Sequence, residues 1–268
     1  MEGIAGIGLN EFWATVKGYP SYFLKRHFLV NQVNAAIRGA LKAGLKPAEI
    51  VVADWHSTHH NFYENQLPQG IILIRDQENK ELENGIEQVF LVGFHAAAGT
   101  GVRYAHTFRY AIKTFMIGGK PIGETTMWAY NAGSLGIPIT LLVGDCFAVR
   151  EVASLKLETI CVETKNEKST PSSLSICQDI EFAAQQAVAK KVTPLFSASP
   201  FSVTFSFKSS KLMRDIPSEY ITRRDGKFLV IESKTAHQLY DVFRSQIYQY
   251  LDNKILRYKL ARIFKKWL

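Results

Sequence analysis

Cysteine is scarce in this 268-residue chain, and long apolar runs are absent. Cys146, Cys161 and Cys177 are odd in number, widely spaced and form no CxxC pair, which argues against a disulfide framework and against a zinc ribbon. No apolar run approaches the roughly 20 residues that a membrane span needs. The opening residues lack the basic and apolar regions of a secretion signal. We therefore expect a cytoplasmic protein with no membrane partner.

Acidic residues are missing between positions 254 and 268, where six basic residues occur: Lys254, Arg257, Lys259, Arg262, Lys265 and Lys266. They account for most of the net charge of +8. A basic helical tail can contact an anionic surface, but a solvated helix face fits this pattern better. The rest of the chain lacks the interleaved aromatic and basic residues of nucleic-acid binders. We expect no nucleic-acid partner.

Short apolar runs recur along the first two thirds of the chain, with helical or charged segments between them. Runs of this non-alternating kind are typical of parallel strands that are covered on both faces. The pattern predicts an α/β fold, with a mostly parallel sheet flanked by helices. Strands are predicted at 50–53, 70–74, 89–93, 138–144 and 159–163, and helices at about 22–43, 124–134 and 176–191.

The C-terminal part has a different pattern. Alternation predicts a half-buried strand at 202–207, an Arg-Asp-Gly turn predicts a hairpin within 221–231, and a long amphipathic helix is predicted from about 236. A Gly-Gly pair predicts another hairpin, between 111–117 and 121–122. We divide the chain into an α/β domain at 1–192, which carries the candidate site, and a smaller α+β lobe at 193–268 that ends in the basic tail.

Two histidines follow predicted strands. His56 lies just after the strand at 50–53, and His95 lies just after the strand at 89–93. The carboxyl ends of parallel strands meet at one edge of a sheet, where sites form. Two imidazoles and one carboxylate are a typical ligand set for catalytic zinc with an open position. Glu124, at a predicted helix start, is the candidate carboxylate.

Two aspartates near these positions have alternative roles. Asp54 either accepts a hydrogen bond that orients a metal-binding ring or caps a turn. Asp145, at the end of the predicted strand 138–144, either lines the site or caps a helix. The residues alone leave both choices open.

Five segments carry a family resemblance. Eleven positions separate His95 from His106, and eighteen separate His106 from Glu124. In this order the chain resembles the zinc D-aminopeptidases of the bacterial dipeptide-transport type, and the likeness is weak beyond about residue 165. The segments are Met1-Glu2-Gly3-Ile4, Ala53-Asp54-Trp55-His56-Ser57, Gly93-Phe94-His95-Ala96-Ala97-Ala98, Gly101-Val102 leading to His106, and Gly123-Glu124.

The resemblance implies an activity and a site. It implies two zinc ions per subunit, held by four ligands, and removal of an N-terminal D-residue such as D-alanine from short peptides. It also implies a homo-oligomeric ring, such as a decamer. Zinc lowers the pKa of bound water to about 7, and a nearby imidazole acts either as nucleophile or as acid and base. The implied ligands are Glu2, His56, His95 and Glu124, and the implied catalytic imidazole is His106.

One departure from the family pattern affects this site. The family motif reads Asp-Met-Glu-Gly at the end of a first β-strand, whereas this sequence begins at Met1-Glu2-Gly3 and has neither the strand nor the Asp. Either the true start lies upstream, or the protein is a catalytically impaired, metal-binding oligomeric homologue. We favour the first, because a central strand buries much apolar surface and is costly to lose.

The remaining histidines have no counterpart in the family pattern. We interpret His59 and His60 as part of a polar loop, although they lie beside His56. His27 and His237 lie on predicted helices without an evident partner, and we interpret both as structural.

Overall fold

The structure is a computed structural model that describes residues 2–8, 19–56, 60–75, 80–83, 85–102, 105–248 and 250–251. The predicted basic tail at 254–268 and the loop residue His59 lie outside these ranges. Among the described helices, none combines the length and the hydropathy that crossing a membrane requires.

The described residues form ten strands and six α-helices. The strands are β1 (Val51–Ala53), β2 (Ile72–Ile74), β3 (Val89–Phe94), β4 (Ile112–Ile117), β5 (Lys120–Pro121), β6 (Ile139–Gly144), β7 (Ile160–Glu163), β8 (Phe201–Phe207), β9 (Arg223–Asp225) and β10 (Phe228–Ser233). The helices are α1 (Pro20–Lys42), α2 (Glu124–Gly133), α3 (Cys146–Ser154), α4 (Ser173–Ala189), α5 (Ser210–Asp215) and α6 (Ala236–Val242).

The predicted parallel strands are present, but they form two sheets where one was expected. β1 pairs with β2, and β3, β6 and β7 form a second sheet in which β6 is central. Leu141 and Val143 of β6 pack in one apolar cluster, whereas Leu142 packs in another. This alternation places consecutive side chains on opposite faces of β6, and both faces are covered. The prediction of parallel strands flanked by helices is confirmed.

Helices α1 and α4 pack together over one face of the β3-β6-β7 sheet. Ala36 of α1 and Ile180 of α4 belong to the same apolar cluster as Leu141. Gly39 allows the two helices to approach closely, because a β-carbon there would lie 2.2 Å from the backbone oxygen of Glu181. This face of the sheet is therefore closed.

A five-stranded antiparallel sheet, in the order β5-β4-β8-β10-β9, packs with α2 and α6 in the largest apolar cluster. Both predicted hairpins are present in it, as β4–β5 and β9–β10. The sheet takes strands from both sides of position 193, and the domain boundary there stays a prediction. The predicted long helix from about 236 begins as α6, continues as a π-helix over Phe243–Tyr248, and is α-helical again at 250–251.

Candidate metal centre

The carboxyl ends of β1 and β3 carry the two histidines that the sequence singles out. His56 lies three residues beyond β1, and His95 directly follows β3. Glu2 reaches the carboxyl end of β3 because the Gly3 amide donates to the Gly93 carbonyl at 3.1 Å. A β-carbon on Gly3 would lie 1.6 Å from the Phe94 oxygen, so only glycine allows this approach.

Glu2 and His56 form the first pair of candidate ligands. His56 Nε2 lies 3.3 Å from Glu2 Oε2, and Glu2 is buried. Burial, the largest influence, acts to raise the pKa of the Glu2 carboxyl, but nearby positive charge, to which His56 contributes, outweighs it and holds this pKa well below its usual range. The carboxylate is therefore charged and ready to bind a cation.

His95, His106 and Glu124 form a second group. One ligand atom from each lies within 4.8 Å of the others. Glu124 Oε1 is 3.9 Å from His95 Nε2 and 4.0 Å from His106 Nε2. The rings of His95 and His106 are stacked, and the Tyr110 ring stacks on His106 at a centroid distance of 4.3 Å. The structure thus brings the five implied residues together as a pair and a group of three.

Both groups line one cavity of about 1210 Å³. Imidazole nitrogen and carboxylate oxygen are the donors that zinc prefers in non-thiolate sites. Around a tetrahedral zinc, ligand atoms about 2.1 Å from the ion lie roughly 3.4 Å apart, close to the separations at both groups. The residues present therefore fit zinc. In this geometry His106 can either bind the metal as a third member of its group or remain an imidazole that is not bound to metal.

Glu124 is the first residue of α2, and a residue of another helix caps that helix. The N-cap residue, Gly123, has no side chain for the role. Glu151 of α3 instead accepts the amides of Gly123 and Thr126 at 2.8 and 2.9 Å. A β-carbon on Gly123 would lie 2.4 Å from Glu151 Oε2, so Gly123 makes room for this contact. Burial raises the pKa of Glu151.

Phe108 also holds Glu124 in place. Its amide donates to Glu124 Oε1 at 2.7 Å, and its φ of 62° lies in the left-handed region that non-glycine residues seldom adopt. Its ring is buried against the rings of Phe115, Tyr240 and Phe243. The packing of the antiparallel sheet thus fixes a backbone donor at the candidate ligand.

Asn61 links Asp54 to His56. The Asn61 backbone and side-chain amides donate to the two Asp54 carboxylate oxygens at 2.6 and 2.7 Å. Asn61 Nδ2 also donates to the His56 carbonyl at 2.6 Å, and the Tyr22 hydroxyl donates to Asn61 Oδ1. Asp54 therefore binds Asn61, and it influences the His56 ring only indirectly, through that residue. No pattern in the sequence predicts this role of Asn61.

Of the two roles that the sequence leaves open for Asp145, the structure shows the helix cap, and Asp145 is not among the residues that line the cavity. It caps α3 by accepting the amides of Phe147 and Ala148 at 3.0 Å. Its other oxygen accepts the Ala96 amide at 2.9 Å and so fixes the backbone beside His95.

His237 has partners that its sequence position does not reveal. It is buried, and its ring contacts Asn131 Oδ1 at 2.9 Å and Glu83 Oε1 at 3.0 Å. The expectation that it lacks partners is wrong, although these contacts suit the structural role that we assigned. His60 is exposed.

Comparison with known proteins identifies the family. Residues 1–245 match the family model of the M55 peptidases, described as D-aminopeptidase. A D-aminopeptidase of Bacillus subtilis (strain 168) is 28% identical over 182 residues, which cover 65% of this chain and 65% of that relative. The structure is similar to that of the Zn-dependent D-aminopeptidase DppA from Bacillus subtilis, a self-compartmentalizing protease, with a TM-score of 0.82, 21% identity and 94% of each chain covered. Because the family model covers most of the sequence, the chain belongs to the D-aminopeptidase family of M55 peptidases.

Proposed function

We propose that this protein is a zinc-dependent aminopeptidase that removes an N-terminal D-residue, such as D-alanine, from short peptides. The observation that carries the proposal is the placement of His95, His106 and Glu124 within 4.8 Å of one another, in the cavity that Glu2 and His56 also line. Membership of the D-aminopeptidase family supports the substrate class, as does the activity named for the Bacillus subtilis relative.

In this proposal the four ligands Glu2, His56, His95 and Glu124 hold two zinc ions. When bound, zinc polarises the peptide carbonyl and supplies a water of lowered pKa. Glu2, already charged in its buried position, offsets the positive charge of the site. The fit of two separate ligand groups favours an active enzyme over the alternative of an impaired homologue.

His106 is the proposed catalytic imidazole. The rings of His95 and Tyr110 stack on it at 4.4 and 4.3 Å, so its ring orientation is restricted. From this position it transfers a proton to the departing amine or attacks the carbonyl carbon. Both roles need the imidazole edge to face the substrate.

Zinc content and turnover, measured together on the same preparations, test the proposal. Wild-type protein should bind zinc and hydrolyse D-alanyl-D-alanine faster than L-alanyl-L-alanine. His106→Ala should retain zinc but lose about 10²- to 10⁴-fold in kcat. His60→Ala is the matched control, because His60 is exposed. Unchanged turnover in His106→Ala would refute the catalytic role, and loss of zinc would make His106 a ligand.

We also propose that the protein forms a homo-oligomer, with a decameric ring as the expected form. Several large apolar side chains are mostly exposed in the single chain: Phe23, Leu24, Leu174, Phe182 and Phe196. Such surfaces usually mark contacts with other proteins, and the related DppA is described as self-compartmentalizing. Sedimentation analysis tests this: a mass of one chain at micromolar concentration would refute it.

Cytoplasmic residence stays a prediction.

A further inference from the structure

Arg244 lies in the π-helical turn, where its guanidinium is held by aromatic rings. Its guanidinium carbon lies 4.3 Å from the Trp55 ring centroid and 4.6 Å from that of Tyr248. Among the described residues, no carboxylate forms an ion pair with Arg244. π-Helical turns are rare and often occur at functional sites. The cation is therefore positioned without a carboxylate partner from the described part of the chain.

A second arginine contacts the same tyrosine. The guanidinium carbon of Arg109 lies 3.7 Å from the Tyr248 ring centroid. Arg109 directly follows Phe108, which donates to Glu124. Both arginines line the cavity that contains the candidate ligands. Two positive charges thus converge on one ring, in a wall of that cavity.

Arg244 is linked to the candidate metal site through Trp55. Trp55, on which Arg244 stacks, is the residue before His56. Trp55 packs edge-on against Trp128 at 4.9 Å, and Trp128 belongs to the apolar core. The guanidinium of Arg244 is therefore held by a rigid wall next to a ligand, which suits a residue that selects substrates.

The chemistry of this wall suits a carboxylate. Arginine is always charged, and its planar fork of N–H groups matches the two oxygens of a carboxylate. Stacking occupies the face of a guanidinium and leaves its N–H edge available. When the amino end of a short peptide lies at the metal ligands, its opposite end is a carboxylate. Each extended residue spans about 3.3–3.6 Å, so peptide length decides whether that carboxylate reaches the arginines.

We infer that Arg244, with Arg109 beside it, binds the C-terminal carboxylate of short peptide substrates. This inference rests on the proposed aminopeptidase function. It makes the enzyme selective for short peptides with a free acid end, and it explains why a cation lies in an aromatic wall of a metal-binding cavity. A purely structural role of Arg244 would affect every substrate to the same extent.

The test compares each peptide with its C-terminal amide. Wild-type protein should hydrolyse D-alanyl-D-alanine, or the tri- or tetrapeptide that spans the cavity best, about 10- to 100-fold more efficiently in kcat/KM than the matching amide. Arg244→Met keeps the length of the side chain and removes its charge. This variant should lose the preference by raising KM for the acid alone, with unchanged zinc content.

Lys208→Met is the matched control. The Lys208 ammonium lies 5.8 Å from the Tyr110 ring centroid, but the side chain is exposed and does not line the cavity. Removing this charge should leave the ratio of kcat/KM for the peptide acid to kcat/KM for its amide unchanged. Equal hydrolysis of acid and amide by wild-type protein at every length, or an equal loss on both in Arg244→Met, would overturn the inference.

Calorimetric binding separates this inference from the proposed function. The same acids and amides are titrated into zinc-loaded His106→Ala, which should bind peptides without turning them over. Tighter binding of the acid, lost when Arg244→Met is added, supports the carboxylate contact even if the wild-type protein hydrolyses no peptide. Equal affinities for the acid and the amide would overturn the inference even if the wild-type protein hydrolyses peptides rapidly.

Discussion

The imidazole rings of His95 and His106 are stacked, with their centroids 4.4 Å apart and their planes 28° from parallel. A metal ion binds a histidine ligand in its neutral form. Proton binding and metal binding therefore compete at any histidine ligand.

We expect zinc affinity to fall as the pH is lowered from about 8 to about 6, because histidine ligands gain protons as they release metal. Chelator competition at several pH values measures this dependence. A zinc affinity that does not change with pH would contradict this account.

Glu151→Ala should weaken both the fold and the metal site. It leaves the buried amides of Gly123 and Thr126 without their acceptor, at a cost of about 1–3 kcal/mol in the free energy of unfolding. Glu124 is the first residue of α2 and lies between these two amides, so loss of their acceptor should disturb its position. Zinc affinity should therefore fall about 10- to 100-fold. Denaturant unfolding and chelator competition measure the two effects.

Glu151→Gln is the control for this prediction. Its amide oxygen can still accept from both Gly123 and Thr126, so we expect it to retain most of the stability and zinc affinity. Equal losses in the glutamine and alanine variants would mean that the charge of Glu151, rather than its capping contact, is what matters.

Asn61→Ala should lower zinc affinity about 10- to 100-fold, since Asn61 fixes the backbone of His56 and partners that orient ligands typically contribute this much. Asn166→Ala is a suitable comparison, because Asn166 organises an exposed turn and should leave zinc affinity unchanged. Zinc binding is measured by chelator competition on purified, folded variants. Similar zinc affinities in the two variants would mean that Asn61 does not support the metal site.

Tyr22 should make the fold sensitive to alkaline pH. Burial first, and then the charge of Asp54, raise the pKa of the Tyr22 hydroxyl to about 12, above the ordinary value of about 10 for an unfolded chain. A raised pKa contributes stability below pH 10 that is lost as the pH rises towards 12. The free energy of unfolding should therefore decline in this window.

Tyr22→Phe tests that prediction. The variant cannot ionise, so its stability should decline less between pH 10 and 12 than that of the wild type. Near pH 7 it should be about 1 kcal/mol less stable, because the hydrogen bond to Asn61 is lost. Denaturant titrations across this pH range measure both effects, and parallel declines would refute the role of Tyr22.

The strands and hairpins could be predicted from the sequence because their signals are local. Apolar runs of strand length and Gly-containing turns depend only on neighbouring residues. The sequence also allowed the prediction that His56, His95 and Glu124 lie near one another, as residues lining one cavity, since each follows a strand or begins a helix. Glu2 and His106 came only from the family resemblance, because nothing in their own surroundings marks them as members of a site.

The supporting residues could not be predicted, because their contacts join distant parts of the chain. Glu151 meets amides 25 and 28 residues away, and His237 meets Glu83 across 154 residues. Neither contact produces a periodic pattern. The π-helical turn was missed for a related reason: π-helices are rare, and hydrophobic periodicity does not distinguish them from the end of an α-helix.

The unusual backbone of Phe108 makes the position of Glu124 depend on packing elsewhere in the chain. Holding a non-glycine residue at this φ costs about 1–3 kcal/mol, and burial of its ring against Phe243 offsets that cost. A disturbance of the aromatic cluster would let the backbone relax and turn the Phe108 amide away from Glu124. Tyr240 and Phe243, which lie far along the chain from Glu124, thus help to keep the Phe108 amide directed at the first residue of α2.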